Sequence, residues 1–174
     1  ISGHPQGKLL ELISLMIGPE NILEIGTFTG YSAICLSKGL KPDGKLITIE
    51  LNDELSDFAR SYFHKAGAGE KITQMTGNAL EIIPSLNLMF DLVFIDGDKR
   101  EYIYYYRAII DKVKTGGFIL ADNVLWGGKV LERDTKESQT KGIIEFNEMI
   151  RNETRTENVI IALRDGLMVI HKKY

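Results

Sequence analysis

The chain has 174 residues, 44% of them hydrophobic and 26% charged. That length suits one domain able to bury about 70% of its unfolded surface, and the composition is too apolar for disorder. The formal net charge of −3 excludes a strongly basic, nucleic-acid-coating surface, although a local basic patch stays open.

The start, Ile1-Ser2-Gly3-His4-Pro5, is neither a signal peptide nor an initiator Met, and it reads as an incomplete beginning. Apolar residues at 9, 10, 12, 13, 16 and 17 predict an amphipathic helix over 6–17, ended by Gly18-Pro19. A short strand follows over 21–25, then a helix over 31–39 that places the single cysteine, Cys35, on an apolar face. One cysteine excludes an intramolecular disulfide framework and fits a reducing, cytoplasmic compartment. A second strand is expected over 45–50. The helix over 53–65 takes Asn52 or Asp53 as its cap. A weak strand over 71–75 and a short helix over 79–83 come next, then a buried-type strand over 90–95. A helix over 99–113 is stopped by Gly116-Gly117 before a strand over 118–121. The last helix spans 141–152. Strands over 158–163 and 167–171 are joined by Arg164-Asp165-Gly166, a hairpin signal. No apolar run approaches the roughly 18–20 residues that cross a bilayer, so no membrane partner is expected.

Strands alternating with helices imply a parallel sheet covered on both faces, and the hairpin adds an antiparallel strand. Ligands of such sheets bind beyond the carboxyl ends of the strands. Three features lie there. The turn Gly26-Thr27-Phe28-Thr29-Gly30 follows the first strand, but its spacing is not the three-glycine dinucleotide fingerprint. Glu24 sits inside that apolar strand and needs a partner. Glu50 ends the second strand, where an acid can accept bonds from a ribose hydroxyl pair. Finally, Phe94-Ile95-Asp96-Gly97-Asp98-Lys99 and Ile119-Leu120-Ala121-Asp122-Asn123 end two strands expected to be neighbours. Asp96, Asp122 and Asn123 are hard oxygen donors suited to Mg²⁺, Mn²⁺ or Ca²⁺; the plainer reading is helix caps and turns. A lysine beside a cation in a cleft can serve as a base, the role open to Lys99, though a surface lysine is simpler. Tyr102, Tyr105/Tyr106, Ile109 and Val113 form a stripe that packs on the sheet. Trp126 is either a packing aromatic or a pocket wall.

Taken together, Leu23–Ser32, Glu50, Gly77-Asn78-Ala79, Phe94–Lys99, Leu120–Trp126 and Asp165-Gly166-Leu167 resemble the cation-dependent O-methyltransferases, the family of catechol and caffeoyl-CoA O-methyltransferases. The resemblance runs over nearly the whole chain. It implies one methyltransferase domain over 1–174 without the family's N-terminal helices. The implied fold is α/β of the class I, Rossmann-like type: a seven-stranded, mostly parallel sheet with an antiparallel last strand and helices on both faces. It implies S-adenosylmethionine (SAM) as methyl donor, bordered by Ser2, Glu24, Gly26, Ser32, Glu50, Asn78, Ala79, Asp96, Asp98 and Tyr105. It implies a cation, Mg²⁺ first among candidates, on Asp96, Asp122 and Asn123, with Lys99 as general base beside Asp96. The implied acceptor is a catechol-like or other hydroxylated aromatic, and the implied assembly a homodimer. The plant acyl-CoA enzymes carry asparagine where this chain has Gly127, which argues against the plant substrate. A hydroxyuridine in tRNA is the alternative acceptor. A nicotinamide-dependent oxidoreductase and a SAM-binding module without catalysis are the alternative classes; the missing glycine fingerprint opposes the first, and retention of Asp96, Lys99, Asp122 and Asn123 the second.

Overall fold

Apolar runs of five or six residues, too short for buried helices, pair side by side at the centre of the molecule. The computed structural model describes residues 3–132 and 135–174. Its strands are β1 (Asn21–Ile25), β2 (Lys45–Glu50), β3 (Ile72–Thr76), β4 (Phe90–Ile95), β5 (Val113–Asp122), β6 (Thr156–Ile161) and β7 (Leu167–Lys172). They form one sheet in the order β3-β2-β1-β4-β5-β7-β6. The pairs among β1 to β5 are parallel, and β7 runs antiparallel to both β5 and β6. Only the last strand is therefore reversed, as expected from sequence.

Helices cover both faces, because strands buried on both sides need apolar partners above and below. On one face, α1 (His4–Ile17), α2 (Tyr31–Ser37) and α3 (Ser56–Lys65) bring Leu10, Leu36 and Phe63 against Leu46, Leu92 and Leu120. On the other, α4 (Ala79–Ser85), α5 (Tyr102–Ile109) and α6 (Ser138–Asn152) bring Ile83, Tyr106 and Phe146 against Ile49, Val93 and Ile119. Cys35 is buried in the first core.

Some boundaries differ from the sequence reading. The helix expected over 99–113 is a 3-10 turn (Lys99–Glu101), α5, and a second 3-10 turn (Ile110–Lys112). Strand β5 begins at Val113, where β-branched residues favour extended chain, and pairs back to Phe90. Gly116-Gly117 is thus not a stop but part of the strand, where the β4–β5 register shifts. The cap expected at Asn52 or Asp53 is absent: α3 starts after Leu55, and Asn52 Oδ1 accepts the Glu54 N–H instead, at 2.9 Å. Strand β6 lies two residues earlier than expected. In α1, Leu10 is buried while Leu12 and Met16 face outward.

Candidate active site

The parallel register sets the site. Ile25 lies opposite both Ile49 and Ile95, and Ile95 lies opposite Ala121. The next residues, Gly26, Glu50, Asp96 and Asp122, therefore emerge level with one another on strands about 4.8 Å apart. The Gly26 N–H donates to Ile49 O and the Asp96 N–H to Ile25 O, both at 2.8 Å, which carries the register past the strand ends. Gly26 has φ of 103°, and any side chain there would run into the Asp96 carbonyl. Its absence lets the β1 turn lie flat against the β4 tip. A cleft of about 470 Å³ opens here, walled by Gly26–Thr29, Ser32, Glu50, Asp96–Lys99, Asn123 and Trp126 among others.

Glu24 is fully buried beneath this cleft. The partner it needs is Thr48, a residue the sequence did not point to, whose hydroxyl donates to Oε2 at 2.5 Å and is itself paired with the Thr27 hydroxyl at 2.6 Å. Among the described residues, Oε1 has no hydrogen-bond partner. Burial pushes the carboxyl up to about 8; Ser32 and Thr48 offset part of that, and Asp96 and Glu50 add to it. Ser32 is near enough to matter but does not close a bond to Oε1.

Glu50 reaches into the cleft with its carboxylate aimed by the chain. Oε2 accepts the Phe28 N–H at 2.8 Å and Oε1 the Asn52 N–H at 3.2 Å. Asn78 caps α4 through Oδ1, accepting the Leu80 N–H at 2.9 Å. Asn78 and the buried Ala79 follow the tip of β3, next to β2, and do not wall the cleft.

The acid-rich tips of β4 and β5 come together. Lys99 Nζ donates to Asp96 Oδ1 at 2.7 Å and to Gly97 O at 3.1 Å, and lies 5.2 Å from the Tyr102 ring centre. Asp122 is 4% exposed and stands behind the cleft wall rather than in it. Its Oδ2 accepts from Gln6 Nε2 at 2.5 Å and its Oδ1 from the Asn123 N–H at 2.8 Å. Burial, then repulsion from Asp96, raises its carboxyl above the ordinary value, while Gln6, Asn123 and Lys99 counteract. The Tyr102 hydroxyl lies 3.2 Å from Ile95 O and 3.0 Å from Asp122 O, a three-centre tie between the two tips. Asn123 takes φ of 60°, a left-handed conformation that asparagine tolerates. Among the described residues, no group of three His, Cys, Asp or Glu side chains gathers around one point. A cation here would take two carboxylates and the Asn123 amide oxygen, donors that fit a hard divalent ion.

The remaining expectations divide. Asp98 lines the cleft, paired with Arg100 through Nε at 2.9 Å. Tyr105 sits behind Gly97, its hydroxyl bonded to Glu101 Oε2 at 2.5 Å, and does not wall the cleft. Ser2 lies outside the described residues. Trp126 is a cleft wall, and its buried Nε1 has no partner. Gln6, Thr48 and the tie made by Tyr102 escaped sequence reading. Gln6 reaches its partner across 116 positions, and a polar residue early in a helix carries no signal of that.

A seven-stranded sheet with a reversed last strand, opening at its carboxyl ends onto a cleft bounded by Glu50, Asp96 and Asp98, defines a class I methyltransferase. The match to known proteins is more specific. The O-methyltransferase family model covers residues 2–173, and this chain belongs to that family. It is 35% identical over 162 residues to the catechol O-methyltransferase of Niastella koreensis, spanning 91% of this chain and 73% of that protein. It is 32% identical to the caffeoyl-CoA O-methyltransferase of Petroselinum crispum, spanning 96% and 74%. The O-methyltransferase TomG of Streptomyces achromogenes, solved in complex with SAM, superposes with a TM-score of 0.96 at 33% identity, covering 100% of this chain and 82% of that one. That membership sets aside the oxidoreductase reading.

Proposed function

We infer that this protein transfers a methyl group from SAM to a hydroxyl of a catechol-like or other hydroxylated aromatic, with a divalent cation on Asp96, Asp122 and Asn123. One observation carries the reading: the tips of β1, β2, β4 and β5 gather Glu50, Asp96, Lys99 and Asn123 around a single cleft, with Glu24 buried beneath it. The family relatives named for catechol and caffeoyl-CoA support a hydroxylated aromatic acceptor here, and the solved relatives holding SAM or S-adenosylhomocysteine support SAM as donor.

SAM would supply a methyl group activated by its sulfonium, and the cation a Lewis acid that stabilises an oxyanion. The chain's own groups do the rest. The unpartnered Oε1 of Glu24 suits a donor on the methionine part of the cofactor. Glu50, already aimed by two backbone N–H groups, suits the ribose hydroxyls. Asn78 and Ala79 would border the adenine. Lys99, held at the cleft floor by Asp96 and Gly97, would take the acceptor's hydroxyl proton at Nζ. The single sheet packed on both faces supports one domain over 1–174. Calorimetric titration with SAM and, separately, NAD tests the donor: binding of SAM alone is expected, and binding of NAD without SAM would overturn the reading.

A further inference from the structure

The loop after β5 carries Asn123 and Trp126 into the cleft, yet its backbone is one that side chains resist. Asn123 and Trp126 have φ of 60° and 46°, followed by Gly127 and Gly128 at 60° and 84°. Such a run persists only when its surroundings over-determine it. Here the surroundings are the β6–β7 turn, at the far end of the sequence. The Val124 N–H donates to Gly166 O at 3.1 Å and the Leu125 N–H to Asp165 O at 2.8 Å. The Gly127 N–H donates to the Asp165 side chain at Oδ1, at 3.2 Å. Leu125 packs over Gly166, where a Cβ would stand 2.5 Å from its Cγ.

We propose that Asp165 is a positioning residue that sets acceptor specificity: its carboxylate pins Gly127 and so fixes the Trp126 side of the cleft. The first two bonds are made by the turn's backbone and survive any side chain. Among the described residues, the bond that Oδ1 accepts is the side-chain contact of this brace that depends on residue 165, and it falls on the residue next to Trp126. Asp165 touches neither Lys99 nor the acid cluster, so its loss loosens one wall without disturbing the chemistry. The substrate part rests on the methyltransferase reading; the wall part does not.

Trp126 is the sole tryptophan of the chain, so its fluorescence reports the wall directly. The test compares wild type with Asp165→Ala, Asp165→Asn and Asp165→Glu by acrylamide quenching, by calorimetry with SAM, and by transfer to 3,4-dihydroxybenzoate. Asp165→Ala is expected to raise the quenching constant about twofold or more. It should raise the acceptor KM about threefold to tenfold, the effect of one lost hydrogen bond, with the SAM Kd unchanged. Asp165→Asn keeps an oxygen for Gly127 and is expected to restore both. Asp165→Glu, which displaces the carboxylate by one methylene, should behave like Asp165→Ala and decides the matter if that variant does not fold. Unchanged quenching in Asp165→Ala and Asp165→Glu overturns the proposal, as does a rise in SAM Kd that matches the rise in KM. If wild type methylates no catechol, the methyltransferase reading fails for that acceptor and quenching alone decides the role of Asp165.

Discussion

Glu24, its carboxyl pushed up to about 8, holds a proton at neutral pH, because full burial outweighs its bond from Thr48. Below its ordinary value of 4.5 both folded and unfolded chains carry the proton; between there and about 8 only the folded chain does. The folded state binds more protons across that window, so Glu24 makes stability fall as pH rises through it. Wild type should therefore lose melting temperature relative to Glu24→Gln between pH 5 and pH 8, and parallel curves would contradict the assignment. Asp122 is different: both of its oxygens already accept hydrogen bonds, from Gln6 and Asn123, so its orientation is fixed. Asp122→Ala should abolish cation-dependent turnover while leaving the circular dichroism spectrum intact. Turnover that survives the change removes Asp122 from the metal set.

At the scale of elements, helix α6 positions Lys99 from behind. Gly142 lies against the backbone of Lys99 and Arg100, where a Cβ would come within 2.8 Å of Arg100 Cα. Gly142→Val should push the 3-10 turn outward. A displacement of about 1 Å at a reacting group can lower a rate about 10²-fold, so kcat is expected to fall steeply while the SAM Kd holds. Equal kcat in the variant would show that the turn is held by other contacts. The acid-bearing strand tips were legible in the sequence because an apolar run such as 92–95 breaks abruptly into Asp96-Gly97-Asp98, and such breaks mark strand ends on the binding side of a parallel sheet. The start of β5 was not legible: Gly116-Gly117 has the chemistry of a helix stop, and only pairing with Phe90 makes it a strand irregularity. The cap of α3 misled for a related reason, since Asn52 forms a local turn of its own. Contacts such as Gln6 with Asp122, or Asp165 with Gly127, join distant segments and leave no local pattern to read.

For the whole molecule, stability and catalysis meet in one place. Tyr102 is fully buried, stacks edge-on against Phe146 at 5.3 Å between ring centres, and bonds to both acidic strand tips. The core under α5 and α6 is therefore also the platform of the site. Phe146→Ala should cost about 3–5 kcal/mol, read as a lowered denaturant midpoint with little change in slope. A loss under about 1 kcal/mol would mean that the two helices repack around the gap. The cleft itself depends on β1, β2, β4 and β5 ending level, which is a property of the whole sheet. The decisive measurement on the cleft is methyl transfer from labelled SAM to 3,4-dihydroxybenzoate, run on protein stripped with EDTA and then resupplied with Mg²⁺. Label should enter the acceptor only after the metal is restored; equal labelling in EDTA would show that transfer needs no cation.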